Sequence, residues 1–273
     1  MSTKVKIGLY GIGGRMGRRI AALLAIDNNP AKLAGAIDAP GAPLVGHDVG
    51  EMLGRSPLGI IISDDIEKVA KHVDVFVDFS TPEASLELAS LASRHKRPTV
   101  VGTTGFSSAQ QKELSKASQK IPLIVAPNMS LGVNLLSQLV RNAARALPPA
   151  FQIEVLEIHH NQKQDAPSGT ALMLARAAAD GRGIDLKKHQ RTTREGMIGK
   201  RPEQEIGIQA IRGGDVVGEH CVYFLGTGEQ VQLTHRATTR DTFAAGAIRA
   251  AVWLVNQSPG LYDMLDVLGL KGP

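Results

Sequence analysis

One stretch of the chain gathers most of the groups able to move a proton or hold an anion: Glu154-Val-Leu-Glu157-Ile-His159-His160-Asn-Gln-Lys163-Gln-Asp165-Ala-Pro167-Ser168-Gly169-Thr170-Ala171. Imidazole changes charge close to neutral pH, and a nearby lysine adds a fixed cation. Ser168 is of the type that caps a helix. A helix opened by Pro-Ser-Gly-Thr would turn the N–H groups of Gly169 and Thr170 toward an anion such as a carboxylate. If a strand runs through His159 and His160 they face opposite ways, so they need not share a task. Two histidines, a lysine and a helix N-terminus in so short a span point to catalysis or substrate binding rather than to structural histidines. The partner spacing that zinc needs is missing, and no metal is expected.

A second chemical feature lies at the start. In Ile7-Gly-Leu-Tyr-Gly11-Ile12-Gly13-Gly14-Arg15-Met16-Gly17 a glycine-rich turn follows a strand-like run and precedes a helical one. Such glycines allow a tight turn, close approach of backbone N–H groups to a pyrophosphate, and close helix–strand packing. Asp38 ends the next apolar run about 20 residues further on, where an acidic residue accepts hydrogen bonds from an adenosine ribose and repels a 2′-phosphate. NADH is therefore favoured over NADPH, although Arg15 in the loop offers a cation that could reach a 2′-phosphate.

The elements that must position these groups read as two kinds of texture. Apolar runs at Val5–Tyr10, Leu33–Asp38, Val73–Asp78, Thr99–Gly102 and Ile121–Val125 alternate with helical patterns at Met16–Ile26, Pro82–Arg94 and Ser107–Ser118, the last capped by Ser107 or Ser108. Buried parallel strands read as continuous apolar stretches, so this is a Rossmann-type, doubly wound parallel sheet. After a long helix from Gly132 to Ala146, strands dominate: Phe151–His159, Glu205–Arg212, Val217–Leu225 and Glu229–Arg236, with a helix at Ser168–Ala179. That grouping predicts a smaller α+β domain with a mixed sheet. The span from Arg182 to Gly207 shows little periodicity and reads as a long functional or partner-contacting loop. A last helix at Thr242–Asn256 is expected to return to the first domain. The α/β organisation is then 1–130 with 240–273 for the dinucleotide, and 131–239 for substrate binding and oligomerisation.

Composition narrows the classes. A chain of 273 residues with 43% hydrophobic and 21% charged residues is an ordinary globular one, large enough for two domains. No apolar run nears the roughly 20 residues of a membrane helix, and the start enters a strand pattern without a cleavable apolar leader, so a cytoplasmic address is expected. The formal charge of +5 comes from dispersed residues, and with one Trp, three Tyr and six Phe there are few stacking platforms for nucleic acid. The charge either favours small anionic ligands or only aids solubility. The single cysteine, Cys221, sits in an alternating stretch and reads as a buried thiol.

The stretch from Glu154 to Ala171 resembles the signature of the dihydrodipicolinate reductases, also called 4-hydroxy-tetrahydrodipicolinate reductases, of lysine and diaminopimelate biosynthesis. The resemblance extends to the glycine loop, to Asp78-Phe-Ser-Thr-Pro, to Val101-Gly102-Thr103-Thr104-Gly105-Phe106, to Ala126-Pro127-Asn128-Met129-Ser130 and to Arg212-Gly-Gly-Asp-Val-Val-Gly-Glu-His220. It implies an NAD(P)H-dependent oxidoreductase that reduces a cyclic unsaturated dicarboxylate. By the same likeness Gly11, Ile12, Gly13, Gly14, Arg15 and Met16 hold the pyrophosphate and Asp38 the ribose. Gly102, Thr103, Thr104, Ala126, Pro127, Asn128 and Met129 line the nicotinamide end. His159 and Lys163 transfer the proton, while His160, Lys163, Ser168, Gly169 and Thr170 hold the substrate. A homotetramer formed through the second domain is also implied. One departure matters: Ala39-Pro40 follow Asp38 where some relatives have Arg, which should weaken NADPH more than NADH. Two rival readings remain, another two-domain reductase acting on semialdehydes or sugars, and a non-catalytic dinucleotide sensor. Neither gives the His-His-x-x-Lys…Pro-Ser-Gly-Thr run a clear task.

Overall fold

A computed structural model describes residues 4–26 and 29–271. Met1–Thr3, part of the start read above as leaderless, and the last two residues of the 240–273 segment lie outside the described residues. The chain divides into two compact units, Met1–Leu131 with Asp241–Pro273, and Gly132–Arg240.

The first unit is built on a parallel sheet. Its strands β1 (Val5–Tyr10), β2 (Ala31–Ile37), β3 (Ile62–Ser63), β4 (Val75–Asp78), β5 (Thr99–Val101) and β6 (Pro122–Val125) are joined by a seventh, Gly260–Tyr262, beside β6. The spatial order β3-β2-β1-β4-β5-β6 reverses direction between β1 and β4. All pairings are parallel. Val75–Asp78 and Thr99–Val101 are buried at every position because helices cover both faces. One face is packed by Ile20 and Leu24 of the helix Arg15–Leu24 and by Ala244, Ala247, Ile248 and Ala251 of the helix Asp241–Leu254. The other carries Leu88, Leu91 and Ala92 of Pro82–His95 and Leu114 of Ser108–Ser118. Small residues on Asp241–Leu254 let it lie close: a Cβ at Gly246 would fall within 1.8 Å of the Met129 carbonyl oxygen.

Local signals set the helix ends. Ser107, rather than Ser108, is the N-cap of Ser108–Ser118, and it forms a capping box with Gln110. Thr81 caps Pro82–His95, where Pro82 stands in the first turn with no N–H to leave unsatisfied. Strand β2 stops one residue before Asp38, which is therefore a loop residue rather than the last of the strand.

The second unit holds a mixed sheet of β7 (Gln152–His159), β8 (Gln190–Arg191), β9 (Ile206–Arg212), β10 (Gly218–Leu225) and β11 (Gln230–Ala237), in the order β11-β10-β7-β9-β8. The β10 strand runs antiparallel to both β7 and β11, while β7, β9 and β8 run parallel. The helix Gly169–Arg182 covers one face with Ala171, Leu174, Ala175 and Ala178 against Ile153, Val155, Ile208, Val222 and Phe224. It ends at Gly183, whose positive φ closes the turn. Cys221 is buried, and its sulfur accepts from the Thr234 hydroxyl at 3.1 Å.

The span from Arg182 to Gly207, read above as a long functional or partner-contacting loop, holds short elements of its own. It contains a helical turn, Leu186–His189 capped by Asp185, and strand β8 paired with Ile206 and Gly207. These pieces are too short to show a period. The rest is tied down by charge. Arg194 donates to both oxygens of Glu154 and to Glu205, and Arg201 donates to Glu154 and to the carbonyls of Ile153 and Glu205.

Candidate functional site

In the first unit the glycine loop follows β1 and leads into Arg15–Leu24. Gly11 takes a φ of 77°, and a Cβ there would meet the Phe79 carbonyl oxygen at 2.5 Å. Its N–H and that of Ile12 both donate to the Ile37 carbonyl, which clamps the loop to the end of β2. At Gly17 a Cβ would lie 2.2 Å from the Gly11 carbonyl oxygen, so the helix can sit this close only without one. Gly14 caps the helix with no side-chain hydrogen bond, and the first turn carries no acidic residue. An anion can therefore take the place that a capping side chain fills elsewhere. Asp38 accepts from the Gly13 N–H at 3.0 Å and from the Ala39 N–H at 2.9 Å. Arg15 is exposed.

Asp78 does a job the sequence reading did not assign. It is fully buried at the end of β4 and accepts from the Ser80 N–H at 3.0 Å, from the Ser80 hydroxyl at 2.5 Å, from the Ser85 hydroxyl and from Thr103 Oγ1 at 3.3 Å. Burial drives its pKa upward despite these donors. One carboxyl thus knits the loop after β4 to the loop after β5. Gly102 lies against the Phe79 ring, and Thr103 spends its hydroxyl on Asp78 and Ser80, leaving its backbone and the exposed Thr104 as the available surface. Ala126, Pro127, Asn128 and Met129 follow β6 directly; Ala126 N–H donates to Val101, and Asn128 Oδ1 accepts from the Ser130 N–H. All the cofactor residues named from the sequence therefore stand at the carboxyl ends of neighbouring parallel strands, where open α/β sheets bind ligands.

In the second unit, strand β7 alternates strictly, burying Ile153, Val155, Glu157 and His159. The strand ends at His159, so His160 belongs to the loop. His159 Nδ1 lies 2.5 Å from Glu157 Oε2. The Arg212 guanidinium grips both oxygens of Glu157 at 2.8 Å, and the Ser168 N–H donates to Oε1 at 2.9 Å. Burial alone would raise the Glu157 carboxyl, but Arg212, His159 and the Ser168 N–H together hold it below the usual carboxylate range. Burial lowers the His159 pKa; Glu157 opposes this, and Lys163 and Arg212 add to it.

Lys163 does not stand alone as a free charge. Its ammonium lies 2.8 and 3.0 Å from the two oxygens of Asp165, and its side chain is 19% exposed. Ser168 caps Gly169–Arg182, accepting from the Ala171 N–H, and its hydroxyl meets His220 Nε2 at 3.0 Å. The His220 ring packs edge-on against His159 with centroids 5.1 Å apart. Burial, then the neighbouring His159, pushes the His220 pKa down to about 4. His160 accepts from the Gln162 N–H through Nδ1, and Arg240 stands 3.3 Å from its Nε2. His159, His160, Lys163 and the Ser168–Thr170 turn thus share one corner of the sheet.

Sequence reasoning quoted Glu157, Arg212 and His220 without giving them roles, and it passed over Arg240. The signal for Glu157 was available: strand alternation puts it on the same inward face as His159. Among the described residues no group of three His, Cys, Asp or Glu side chains is placed to hold a metal, and no helix is long and apolar enough to cross a membrane.

Known proteins resemble the chain over nearly its whole length. The family model "Dihydrodipicolinate reductase, N-terminus" matches residues 5–129, and "Dihydrodipicolinate reductase, C-terminus" matches 132–268. The chain is 45% identical over 267 residues to the 4-hydroxy-tetrahydrodipicolinate reductase of Syntrophotalea carbinolica, covering 98% of this chain and 100% of that one. The enzyme of the same name from Geobacter sulfurreducens is 44% identical, with 97% and 99% covered. Among solved structures, dipicolinate-bound dihydrodipicolinate reductase from Paenisporosarcina sp. TG-14 matches with a TM-score of 0.76 at 25% identity, covering 97% of this chain and 99% of that one.

Proposed function

The chain belongs to the dihydrodipicolinate reductase family, and from that we propose that it reduces 4-hydroxy-tetrahydrodipicolinate to tetrahydrodipicolinate in the diaminopimelate and lysine pathway. The observation that carries the reading at the residue level is the corner of the second unit. There His159, Lys163 and the Ser168-capped helix N-terminus meet around groups suited to a dicarboxylate. The Paenisporosarcina relative was solved with dipicolinate bound, a planar dicarboxylate of the same class.

A bound reduced nicotinamide dinucleotide supplies the hydride. The residues of the first unit fit that group: Gly11 to Met16 for the pyrophosphate, Asp38 for the ribose, and Gly102, Thr103, Thr104 and Ala126 to Met129 toward the nicotinamide. Asp38, with Ala39-Pro40 rather than Arg after it, makes NADH the preferred form. Hydride addition to a conjugated C=C–C=N system builds negative charge toward the ring nitrogen, so a proton donor and fixed cations lower the barrier. His159 is assigned the proton, since Glu157 engages its Nδ1 and no hydrogen bond is formed at Nε2 within the second unit. Lys163, His160 and the N–H groups of Gly169 and Thr170 hold the substrate carboxylates. The active assembly is read as a homotetramer.

The test is loss of absorbance at 340 nm when the protein is mixed with NADH or NADPH and substrate freshly made by the preceding synthase. Rapid oxidation of NADH, slowed by pyridine-2,6-dicarboxylate, is the expected result. Binding of both nucleotides with oxidation of neither would remove the reductase reading.

A further inference from the structure

We propose that Glu157, clamped by Arg212, is the positioning residue for His159: it holds the imidazole proton on Nδ1 and so leaves Nε2 as the atom that exchanges a proton with the substrate. The proposal rests on the assignment of His159 as proton donor.

The argument is one of hydrogen-bond capacity. An ionised carboxylate only accepts, so the nitrogen 2.5 Å from Glu157 Oε2 must donate, and that nitrogen is Nδ1. Every direction around Glu157 is already taken by a donor. Oε2 receives His159 and Arg212 Nη1, while Oε1 receives the Ser168 N–H and Arg212 Nη2. The bidentate arginine keeps the carboxylate ionised and prevents it from rotating. A second tautomer of His159 would set two acceptors against each other in a fully buried place.

The other nitrogen lies beside residue 218, which is glycine, and a Cβ there would lie 3.1 Å from Nε2. The proton then follows a balanced path. The Nε2–H bond of the imidazolium breaks as the substrate takes the proton that accompanies the hydride, and solvent returns a proton to Nε2. Nδ1–H stays on Glu157 throughout. The charged and titratable groups facing His159 are Glu157 on its own strand, Lys163 in the following loop, Arg212 on β9 and His220 on β10.

Glu157 also fixes the far side of the site. Its bond to the Ser168 N–H anchors the start of Gly169–Arg182. One carboxylate therefore sets both the proton donor and the helix end that receives the substrate carboxylate.

The first experiment reads the tautomer in the wild-type protein. Imidazole ¹⁵N NMR of the full-length protein at pH 8, with His159 assigned by loss of its signal in His159→Gln, should show neutral His159 protonated at Nδ1. A wild-type protein with that proton on Nε2 overturns the proposal. In Glu157→Gln the tautomer population should move toward Nε2–H. At saturating substrate, kcat should fall about 10²-fold, and the pH midpoint of kcat/KM should fall by about one unit because the anion that favoured the imidazolium is gone. A merely structural role would lower kcat or KM without moving the midpoint or the tautomer, and that result also overturns it. If wild-type protein turns over no substrate, the reductase reading fails separately, and the NMR measurement still decides whether Glu157 governs His159.

Discussion

The backbone N–H of Gly13 donates to Oδ2 of Asp38 at 3.0 Å, and a Cβ on Gly13 would come within 2.4 Å of that same oxygen. The Ala39 N–H holds the other oxygen, so the carboxylate is fixed in place rather than free to swing aside. On the proposed reading this fixed anion meets the adenosine ribose and discriminates between cofactors, because a 2′-phosphate would bring a like charge against it. Replacing Asp38 with Ala should raise the NADH dissociation constant about tenfold, the cost of a hydrogen bond to a charged group, and shrink the preference for NADH over NADPH. Fluorescence titration of both nucleotides checks this, and an unchanged preference would place discrimination elsewhere.

Gly17→Ala tests the loop itself. The added methyl would sit 2.2 Å from the Gly11 carbonyl oxygen and 2.7 Å from the Ile12 backbone, neither of which is a flexible side-chain end. Overpacking of this kind costs about 1–3 kcal/mol. Calorimetry should show a lower Tm for the variant, and nucleotide affinity should fall with it. Normal affinity for NADH would mean that the loop moves at no cost to binding.

How much of this was legible in the sequence depended on how local each cause was. The glycine loop, the Ser168 cap, the Ser107 cap to within one residue and the apolar parallel strands were readable because turn, cap and burial signals lie within a few residues of their effects. Three relationships were not. Glu157 was visible as part of a motif, but its grip on Arg212 joins residues on two strands whose pairing exists only after folding. The clamps from Arg194 and Arg201 onto Glu154 likewise turned an apparently irregular segment into an ordered one. Asp78 looked like a motif residue, and only its complete burial among hydroxyls shows that it ties two cofactor-side loops together.

Stability should fall on mild acidification, and His220 is a main reason. Its pKa drops to about 4 in the fold from an ordinary value of 6.5. Between those two values the unfolded chain binds a proton that the folded chain refuses, so stability rises with pH across that window. The contribution is complete above about pH 6.5 and is lost as pH falls toward 4, with an upper bound of about 3 kcal/mol. His159 and His235 shift in the same direction. Urea titrations at pH 7 and pH 5 should give a clear loss, and His220→Gln should reduce the difference. An equal difference in the variant would assign the effect to other groups.

Lys163 acts as a point charge whose place is set by Asp165. Lys163→Ala should lower kcat/KM by roughly 10²–10⁴ while leaving NADH affinity and Tm near wild type, since the side chain supports no part of the core. Loss of NADH binding along with activity would show that the lysine serves the fold or the cofactor instead.

Gly218 offers a way to obstruct His159 without touching it. Its φ is one that any residue adopts, so backbone strain does not oppose Gly218→Ala, and circular dichroism checks that the variant folds. The new methyl would sit 3.1 Å from His159 Nε2, 3.4 Å from its Cδ2 and 3.7 Å from His220 Cε1. Those distances are tight for packing and crowd the one imidazole nitrogen that Glu157 leaves available. A misplacement of about 1 Å at a reacting group costs up to 10²-fold, so kcat should fall about tenfold or more while the tautomer signal of His159 stays where it is. Wild-type turnover in a folded variant would mean that the proton leaves from another atom, and His159 would then lose its role as donor.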